Sequence, residues 1–211
     1  MLYLIRHGEA EGNAQGRIMG QRDWPLTATG RAQAAALGRW LAAGGTALAA
    51  VYGSDLQRAA ETAAILVDAC GGGPVRLRPD LRELGRGELE GRTYAEAAEL
   101  RRSPEVALGL EPDAAVAARL HRAAAELRAA ALEAPVAAVA HGGSISRLLS
   151  LFLGLGAAGG PAAPGFALDN TAVSVLDFTA GRTQVLCLNA VCHLAPALPR
   201  WVGPRRPGGA G

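Results

Sequence analysis

The fold of this chain is decided by its opening stretch, Leu2-Tyr3-Leu4-Ile5-Arg6-His7-Gly8-Glu9. Four apolar residues lead directly into an arginine, a histidine and a glycine. A short apolar run that ends at a glycine predicts a buried strand, and Arg6 and His7 then lie at its carboxyl end. In open α/β sheets that end of a strand faces the ligand crevice. For either residue alone, a chance polar terminus is a fair explanation, and the rest of the chain weakens it.

The composition is that of a globular domain of ordinary size. The chain has 211 residues, of which 50% are hydrophobic and 4% aromatic. A sizeable core can therefore form, mainly by close packing of alanine with leucine and valine. The formal net charge is +2, and few aromatic residues lie among the dispersed arginines, so nothing favours a nucleic-acid partner. We expect a single domain over residues 1–211.

The N-terminus and the cysteines predict a cytoplasmic protein. No apolar run approaches the roughly 18 residues of a membrane span, so no membrane partner is expected. The first residues lack the basic and apolar regions of a signal peptide. Cys70, Cys187 and Cys192 have no metal-type spacing, and we expect them to be reduced thiols.

Strand-like and helix-like segments alternate along most of the chain. The apolar run 136–140 is typical of a parallel strand, and 113–131 has an apolar stripe at helical spacing. This alternation predicts an α/β fold, a three-layer αβα sandwich around a central, mostly parallel sheet. Residues from about 92 to 134 are expected to form a short helical lid insertion, and the tail from about 199 to 211 is expected to be flexible. Further strands are expected at 2–5, 49–52, 75–77, 171–178 and 183–191, helices at 28–43, 55–70, 93–102 and 144–152, and a loop at 156–164.

Three finer predictions concern helix ends and helix faces. Thr27 is a suitable N-cap for the first long helix, and Ser54 fits a capping box with Gln57. On the long helix that Asp113 is expected to cap, one face is expected to be solvated. Its members are Arg119, Arg122 and Glu126, and the lone His121 on the same wet side is given no role.

Four segments place charged or nucleophilic groups at predicted strand ends or helix starts. They are Arg6-His7, Arg58, Glu83 and His141-Gly142. A helix follows His141 at once, so its free N–H groups and its dipole can hold an anion. Arginine guanidinium groups present planar forks that suit phosphate oxygens. The implied ligand is a phosphate, and two histidines beside it indicate that the phosphoryl group is transferred.

In this order of motifs the sequence resembles the histidine phosphatases, also called the phosphoglycerate mutase-like superfamily, over most of its length. The hallmark is Arg-His-Gly-Glu at the first strand, and a late His-Gly-Gly completes the series. The matching residues are Arg6 to Glu9, Asn13, Gly20, Asp23, Pro25-Leu26-Thr27, Gly30, Ser54 through Thr62, Leu81-Arg82-Glu83, Gly87 to Gly91 and His141 to Gly143.

The resemblance implies a role for each candidate residue. His7 would be the nucleophile that takes the phosphoryl group, and Arg6, Arg58 and His141 would bind its oxygens. Glu83 would protonate the leaving oxygen and then activate water. The further phosphate-binding residues would be Asn13, Gly20 and the amide of Gly142.

These roles predict a metal-independent phosphomonoester hydrolase that acts through a phosphohistidine on a small phosphorylated metabolite. Phosphoryl transfer spreads negative charge over three oxygens, so preorganised cations are the main requirement. We therefore expect neither a metal nor another cofactor. The arginines and histidines would take the role that a metal has elsewhere.

Other functions stay open at this stage. A phosphoglycerate mutase is disfavoured because glycolytic mutases of the family carry a longer insertion than the stretch between Glu83 and His141. A non-catalytic phosphate-binding module would be favoured only if His7 or another key residue were missing. A serine hydrolase lacks its Gly-x-Ser-x-Gly elbow here. Because Met19 and Arg86 depart from the family pattern beside the substrate, the sequence does not name the substrate, and a homodimer is compatible with it.

Overall fold

The opening stretch forms the strand β1 (Leu2–Arg6) in the computed structural model, which describes residues 1–103, 106–155 and 165–194. β1 lies inside the sheet, parallel to β4 (Val136–Ala140) and antiparallel to β5 (Val173–Asp177). Its four apolar residues are buried because strands cover both of its edges and helices cover both of its faces. Arg6 and His7 leave the sheet at its carboxyl end, as predicted.

The sheet is mixed, with the strand order β3-β2-β4-β1-β5-β6. Its remaining strands are β2 (Ala50–Ser54), β3 (Val75–Arg78) and β6 (Gln184–Ala190). The first four strands in this order pair in parallel, whereas β5 and β6 join as an antiparallel hairpin. The prediction of a mostly parallel central sheet is confirmed.

Helices cover both faces of the sheet. α2 (Ala28–Ala43) and α3 (Gln57–Cys70) pack on the face of Tyr3 and Ile5. α5 (Asp113–Glu133) and α6 (Gly142–Leu153) pack on the face of Leu2 and Leu4, since successive side chains of a strand point to opposite faces. The short helices are α1 (Glu11–Ala14) and α4 (Tyr94–Leu100), and 3-10 turns lie at Pro79–Leu81, Gly87–Leu89 and Thr179–Gly181.

The start of α3 differs from the predicted capping box. β2 continues through Ser54, which pairs with Arg78 of β3, so the N-cap residue is Leu56. The Ser54 hydroxyl accepts a hydrogen bond from the amide of Leu56, and the free amide of Gln57 donates to the carboxylate of Asp23 at 2.8 Å. Thr27, in contrast, caps α2 as predicted by accepting from an amide of its first turn.

The prediction that Arg119 is solvated is wrong. Its side chain is buried between α5 and the segment after β3, where it pairs with Glu111 at 2.7 Å. Arg119 lies beside the apolar stripe of α5. Helical spacing does not reveal its partner, because Glu111 precedes that helix. The helix begins at Asp113 with Pro112 at the N-cap position, and His121 is exposed as expected.

The predicted lid insertion divides into two parts. α5 is a full member of the helical layer on the face of Leu2 and Leu4, so only the segment around α4 stays a candidate lid. Whether that segment closes over a ligand stays a prediction. The expected loop at 156–164 and the expected flexible tail at 199–211 lie outside the described residues. Among the described helices, none is both long and apolar enough to cross a membrane.

Candidate active site

His7 follows β1 directly and is 1% exposed. Its Nδ1 lies 2.7 Å from the carbonyl oxygen of Gly8, which can only accept, so Nδ1 carries the proton. The Nε of Arg58 donates to Nε2 at 3.3 Å, so Nε2 holds a lone pair. Burial, followed by the charges of Arg58 and Arg6, holds the pKa of His7 well below its usual range. The ring is therefore a neutral base whose Nε2 lone pair accepts a hydrogen bond from a cation.

Arg58 lies in the first turn of α3 and is fully buried. Besides His7, it donates to the carbonyl oxygens of Gly20 at 2.7 Å and Arg22 at 3.0 Å. Gly20 has a φ of +52°, a backbone conformation that residues other than glycine rarely adopt. In this conformation its carbonyl oxygen accepts from Arg58. Burial lowers the pKa of Arg58 to about 10, so the guanidinium stays charged at neutral pH.

Arg6 supplies a second guanidinium, and the residue is half-buried at the tip of β1. Its Nη1 donates to the carbonyl of Leu168 at 2.5 Å, but its Nε is buried without a hydrogen-bond partner in the described part of the chain. Burial lowers the pKa of Arg6, while the carboxylate of Glu83 acts against that shift. A buried donor without a partner calls for a ligand, because leaving it unpaired costs about 1–3 kcal/mol.

His141 is the fully buried N-cap residue of α6, directly after β4. Its ring centroid lies 5.2 Å from that of His7, with the two rings tilted by 58°. Neither ring nitrogen has a hydrogen-bond partner among the described residues. Burial and then the charge of Arg58 hold the pKa of His141 well below its usual range. Two such nitrogens in a buried site again indicate room for a polar ligand.

Glu83 lies in the segment after β3, and its carboxylate sits at the N-terminus of α6. It accepts hydrogen bonds from the amides of Gly143 at 3.0 Å, Ser144 at 3.1 Å and Leu84 at 2.9 Å. A carboxylate at this end of a helix is stabilised by the free N–H groups and the dipole. Glu83 thereby stands at the same helix terminus as His141.

The site residues surround one cavity of about 580 Å³. Asn13 also lies there, with its side-chain oxygen accepting from the amide of Ala10 at 3.0 Å. Of the predicted site residues, only His141 does not line the cavity, and it lies directly behind the lining, in ring contact with His7. Those that line it are Arg6, His7, Asn13, Gly20, Arg58, Glu83 and Gly142.

Several residues of the cavity were not among the candidate site residues. Asn170 donates to the carbonyl of His7 at 3.0 Å, and only its position before a strand could have drawn attention to it. Three further arginines add positive charge to the cavity lining, namely Arg17, Arg86 and Arg101. The carboxylates of the lining are those of Glu9 and Glu83. No three His, Cys, Asp or Glu side chains gather as a metal site in residues 1–103, 106–155 and 165–194. The arrangement is suited to holding an anion beside a neutral histidine.

A mixed α/β sheet with two histidines and two arginines gathered at one anion-binding site defines a recognisable class. The model of the histidine phosphatase superfamily (branch 1) matches residues 2–191, and this chain belongs to that superfamily. The resemblance found in the sequence motifs is confirmed.

Solved structures of phosphatases have the same fold. A mycobacterial glucosyl-3-phosphoglycerate phosphatase in complex with VO3 is 32% identical with a TM-score of 0.72, over 90% of this chain and 98% of that one. A phosphoserine phosphatase from Entamoeba histolytica, solved as a mutant with phosphoserine, is 26% identical with a TM-score of 0.71, over 92% and 98% of the two chains.

Curated relatives have a different name. A protein of Enterobacter sp. (strain 638), "Probable phosphoglycerate mutase GpmB", is 46% identical over 91 residues, which are 43% of this chain. The matched stretch is 41% of that protein, so the chain spans about two fifths of the curated relatives it matches.

Proposed function

We propose that this protein is a metal-independent phosphomonoester hydrolase that forms a phosphohistidine at Nε2 of His7. The observation that carries the proposal is the state of His7. It is buried and neutral, it is protonated on Nδ1, its Nε2 lone pair accepts from Arg58, and both residues line the same cavity. A nucleophile for phosphorus needs such a lone pair at neutral pH, together with cations for the phosphoryl oxygens.

The first half-reaction transfers the phosphoryl group to the enzyme. Nε2 of His7 attacks phosphorus, the bond between phosphorus and the ester oxygen breaks, and the leaving oxygen takes a proton from Glu83. Arg58 and the unpaired Nε of Arg6 stabilise the charge on the equatorial oxygens, as does the N-terminus of α6. The unpaired ring nitrogens of His141 provide the remaining donor beside His7.

The second half-reaction releases phosphate. Glu83, now a carboxylate, takes a proton from a water molecule whose oxygen attacks phosphorus. The bond between phosphorus and Nε2 breaks, and His7 regains its lone pair. The proton taken from water replaces the one that left with the alcohol, so the enzyme returns to its starting state. The amides that hold Glu83 at α6 keep its carboxylate near both events.

The comparisons support this reaction class. The neighbours described as phosphatases include one solved with VO3 and one solved with phosphoserine, both covered almost completely by this chain. Phosphoserine, and VO3 as a phosphate-like oxyanion, favour a small phosphate ester as the substrate here. The three free cysteines are the state expected in a reducing compartment, which supports a cytoplasmic location.

Trapping the intermediate tests the proposal. Protein mixed with a radiolabelled phosphate ester should retain label after a quench in base and lose it after a quench in acid, because phosphohistidine is acid-labile. His7→Ala should bind phosphate, remain folded and retain no label. Turnover should continue in EDTA. Full turnover by His7→Ala, or loss of turnover in EDTA that a divalent ion restores, would contradict the mechanism.

A cofactor-dependent phosphoglycerate mutase is the second candidate. Arg86 and Arg101 at the mouth of the cavity could hold the carboxylate of phosphoglycerate, and the curated relatives are named for that activity. Isomerisation of 3-phosphoglycerate, measured with and without a bisphosphoglycerate primer, separates the two functions. A primer-dependent rate well above the rate of phosphate release would favour the mutase. Phosphate binding without either reaction would favour a binding module.

A further inference from the structure

Arg119 is a buried arginine that holds the backbone of the segment leading into Glu83. Its Nη1 donates to the carbonyl oxygens of Arg82 at 2.6 Å and Asp80 at 3.1 Å, and its Nη2 donates to that of Glu83 at 3.1 Å. The residue is 8% exposed. All three acceptors lie within the four residues that end at Glu83, so one side chain fixes this whole segment.

The remaining hydrogen bonds of Arg119 go to Glu111. Nε and Nη2 donate to the two carboxylate oxygens at 2.7 and 2.9 Å. Burial raises the pKa of Glu111, but the bonds from Arg119 and the amide of Gly85 outweigh it and hold that pKa below its usual value. Glu111 also donates its own amide to the carbonyl of Gly85 at 3.1 Å. The pair is therefore ionised, and it holds the chain on the other side of Glu83 as well.

Gln21 joins this pair to the cation side of the cavity. Its Nε2 donates to the carbonyl of Glu83 at 3.0 Å and to the carboxylate of Glu111 at 3.2 Å. Gln21 directly follows Gly20, whose carbonyl binds Arg58. The loop that holds the phosphate-binding cation and the segment that holds the carboxylate are thus fixed to each other.

We propose that Arg119, paired with Glu111 and assisted by Gln21, is a positioning residue for the carboxylate of Glu83. The inference rests on the proposed function, in which Glu83 moves the proton. None of these three side chains lines the cavity, so each would act only through Glu83. The Glu83 carbonyl accepts from both Arg119 and Gln21, which sets the origin of the side chain that must reach the leaving oxygen. Proton transfer requires this reach to within hydrogen-bond distance.

The test uses Arg119→Lys and the leaving group of the substrate. Lysine keeps a positive charge beside Glu111 but cannot make the forked set of bonds to the backbone. For an alkyl phosphate, kcat should fall about 10- to 100-fold, the loss that a misplaced catalytic group causes. For p-nitrophenyl phosphate, the burst of p-nitrophenol should be nearly unchanged, because a phenolate needs little protonation to leave. The slower phase should fall, because it needs water activation by Glu83.

Two controls separate positioning from general stability. Arg82→Met removes a neighbouring arginine that forms two bonds to Asp55, at 2.8 and 2.6 Å, and whose side chain does not bind Glu83. It should leave both rates unchanged. In a Glu83→Gln background, Arg119→Lys should add little to the loss, because residues that act as one unit are not additive.

A burst of p-nitrophenol slowed as strongly as the alkyl phosphate reaction, or losses that add to those of Glu83→Gln, would overturn the inference and assign Arg119 a purely structural role. If Arg119→Lys does not fold, Gln21→Met decides instead, because it leaves the ion pair intact and should show the same selective loss. If Glu83→Gln itself lacks this selectivity, the proposed function fails. If Glu83→Gln shows it and the deciding variant does not, only the positioning role fails.

Discussion

At the scale of single residues, the surroundings of His7 and Glu83 differ in a way that suits the two roles proposed for them. His7 is enclosed by cations and stays neutral, whereas Glu83 is held by amides at a helix terminus. If the two groups serve the different steps proposed for them, substitutions at each should change the rates with different substrates differently. The leaving group of the ester is therefore the most informative variable.

Glu83→Gln keeps the shape of the side chain but cannot move a proton. For an alkyl phosphate, kcat should fall by about 10²–10⁴-fold, the usual contribution of general acid–base catalysis. For p-nitrophenyl phosphate, rapid-quench measurement should show a burst followed by slow turnover as the phosphoenzyme accumulates. Glu9→Gln, at another carboxylate that lines the cavity, should show no such selectivity. A burst slowed as strongly as the alkyl reaction would exclude Glu83 as the donor.

The two buried histidines also predict how stability depends on pH. Burial lowers the pKa of His7 and His141 in the folded protein, whereas both take up protons in the unfolded chain below about pH 6.5. Stability is therefore full above about pH 6.5 and falls as the pH drops toward the folded pKa values, by up to about 1.4 kcal/mol per pH unit and histidine. His193, whose pKa burial lowers to about 4, adds to this slope.

The dependence of stability on pH can be measured by urea unfolding at several values from about pH 7.5 to about pH 5, a range that spans the ordinary histidine pKa of about 6.5. The double variant His7→Gln/His141→Gln should have a clearly shallower slope than the unsubstituted protein. The part that persists belongs to His193 and to the carboxylates. An unchanged slope in the double variant would mean that neither histidine is held neutral in the folded state.

The sequence predicted the site residues that belong to continuous motifs, and it misplaced those fixed by distant loops. Arg6, His7 and Glu83 could be found because strand ends and helix starts have local signals. Arg119 could not, because its acceptors are backbone carbonyls some 36 to 39 positions away in sequence. Helical periodicity predicts that a residue beside an apolar stripe is solvated. In the structure, Arg119 is buried because it pairs with Glu111.

At the scale of elements, the core depends on small residues where helices meet. Gly38 of α2 faces α3, and a Cβ at this position would lie 2.6 Å from the Cβ of Ala69 and 2.8 Å from the carbonyl of Leu66. The glycine therefore allows the two helices to approach closely. An Ala-rich composition with few aromatic residues fits this packing, because helices with small side chains at their contacts can approach each other closely.

Gly38→Ala should destabilise the protein by about 1–3 kcal/mol, because overpacking forces the two helices apart. For a domain of this size that corresponds to a loss of about 2–4 °C in Tm per kcal/mol. Gly44→Ala is the matched control, since its nearest neighbour would be an ordinary 3.4 Å away. Calorimetry on both variants decides the matter, and equal Tm values would mean that α2 and α3 do not pack as closely as described.

The ends of elements show why local signals are incomplete. Thr27 caps α2 from its own chain position, and the sequence predicted it. α3 instead receives an oxygen from Asp23, which lies 34 residues before Gln57, while Ser54 remains in β2. A capping box describes only residues that are neighbours in sequence. It therefore predicts neither a strand that continues through Ser54 nor a cap that comes from another loop.

At the scale of the whole molecule, the sheet collects positive charge at one end. Five arginines and two glutamates line the cavity, so the mouth should attract anions before they bind. Arg86 and Arg101 lie there, and neither forms an ion pair within the described ranges. Their charges are therefore available to a ligand.

Arg86 and Arg101 should consequently affect substrate capture and have little effect on the chemical steps. Arg101→Gln and Arg86→Gln should each raise KM several-fold with little change in kcat, because their charge acts on the incoming ester and not on the transferring phosphoryl group. The dependence of kcat/KM on ionic strength should also flatten, since salt screens the attraction that these charges provide. Arg102→Gln is the matched control, because Arg102 pairs with Glu99 and does not line this cavity. A fall in kcat at unchanged KM would instead place Arg101 or Arg86 in contact with the reacting group, and an unchanged salt dependence would mean that the buried arginines alone draw the substrate in.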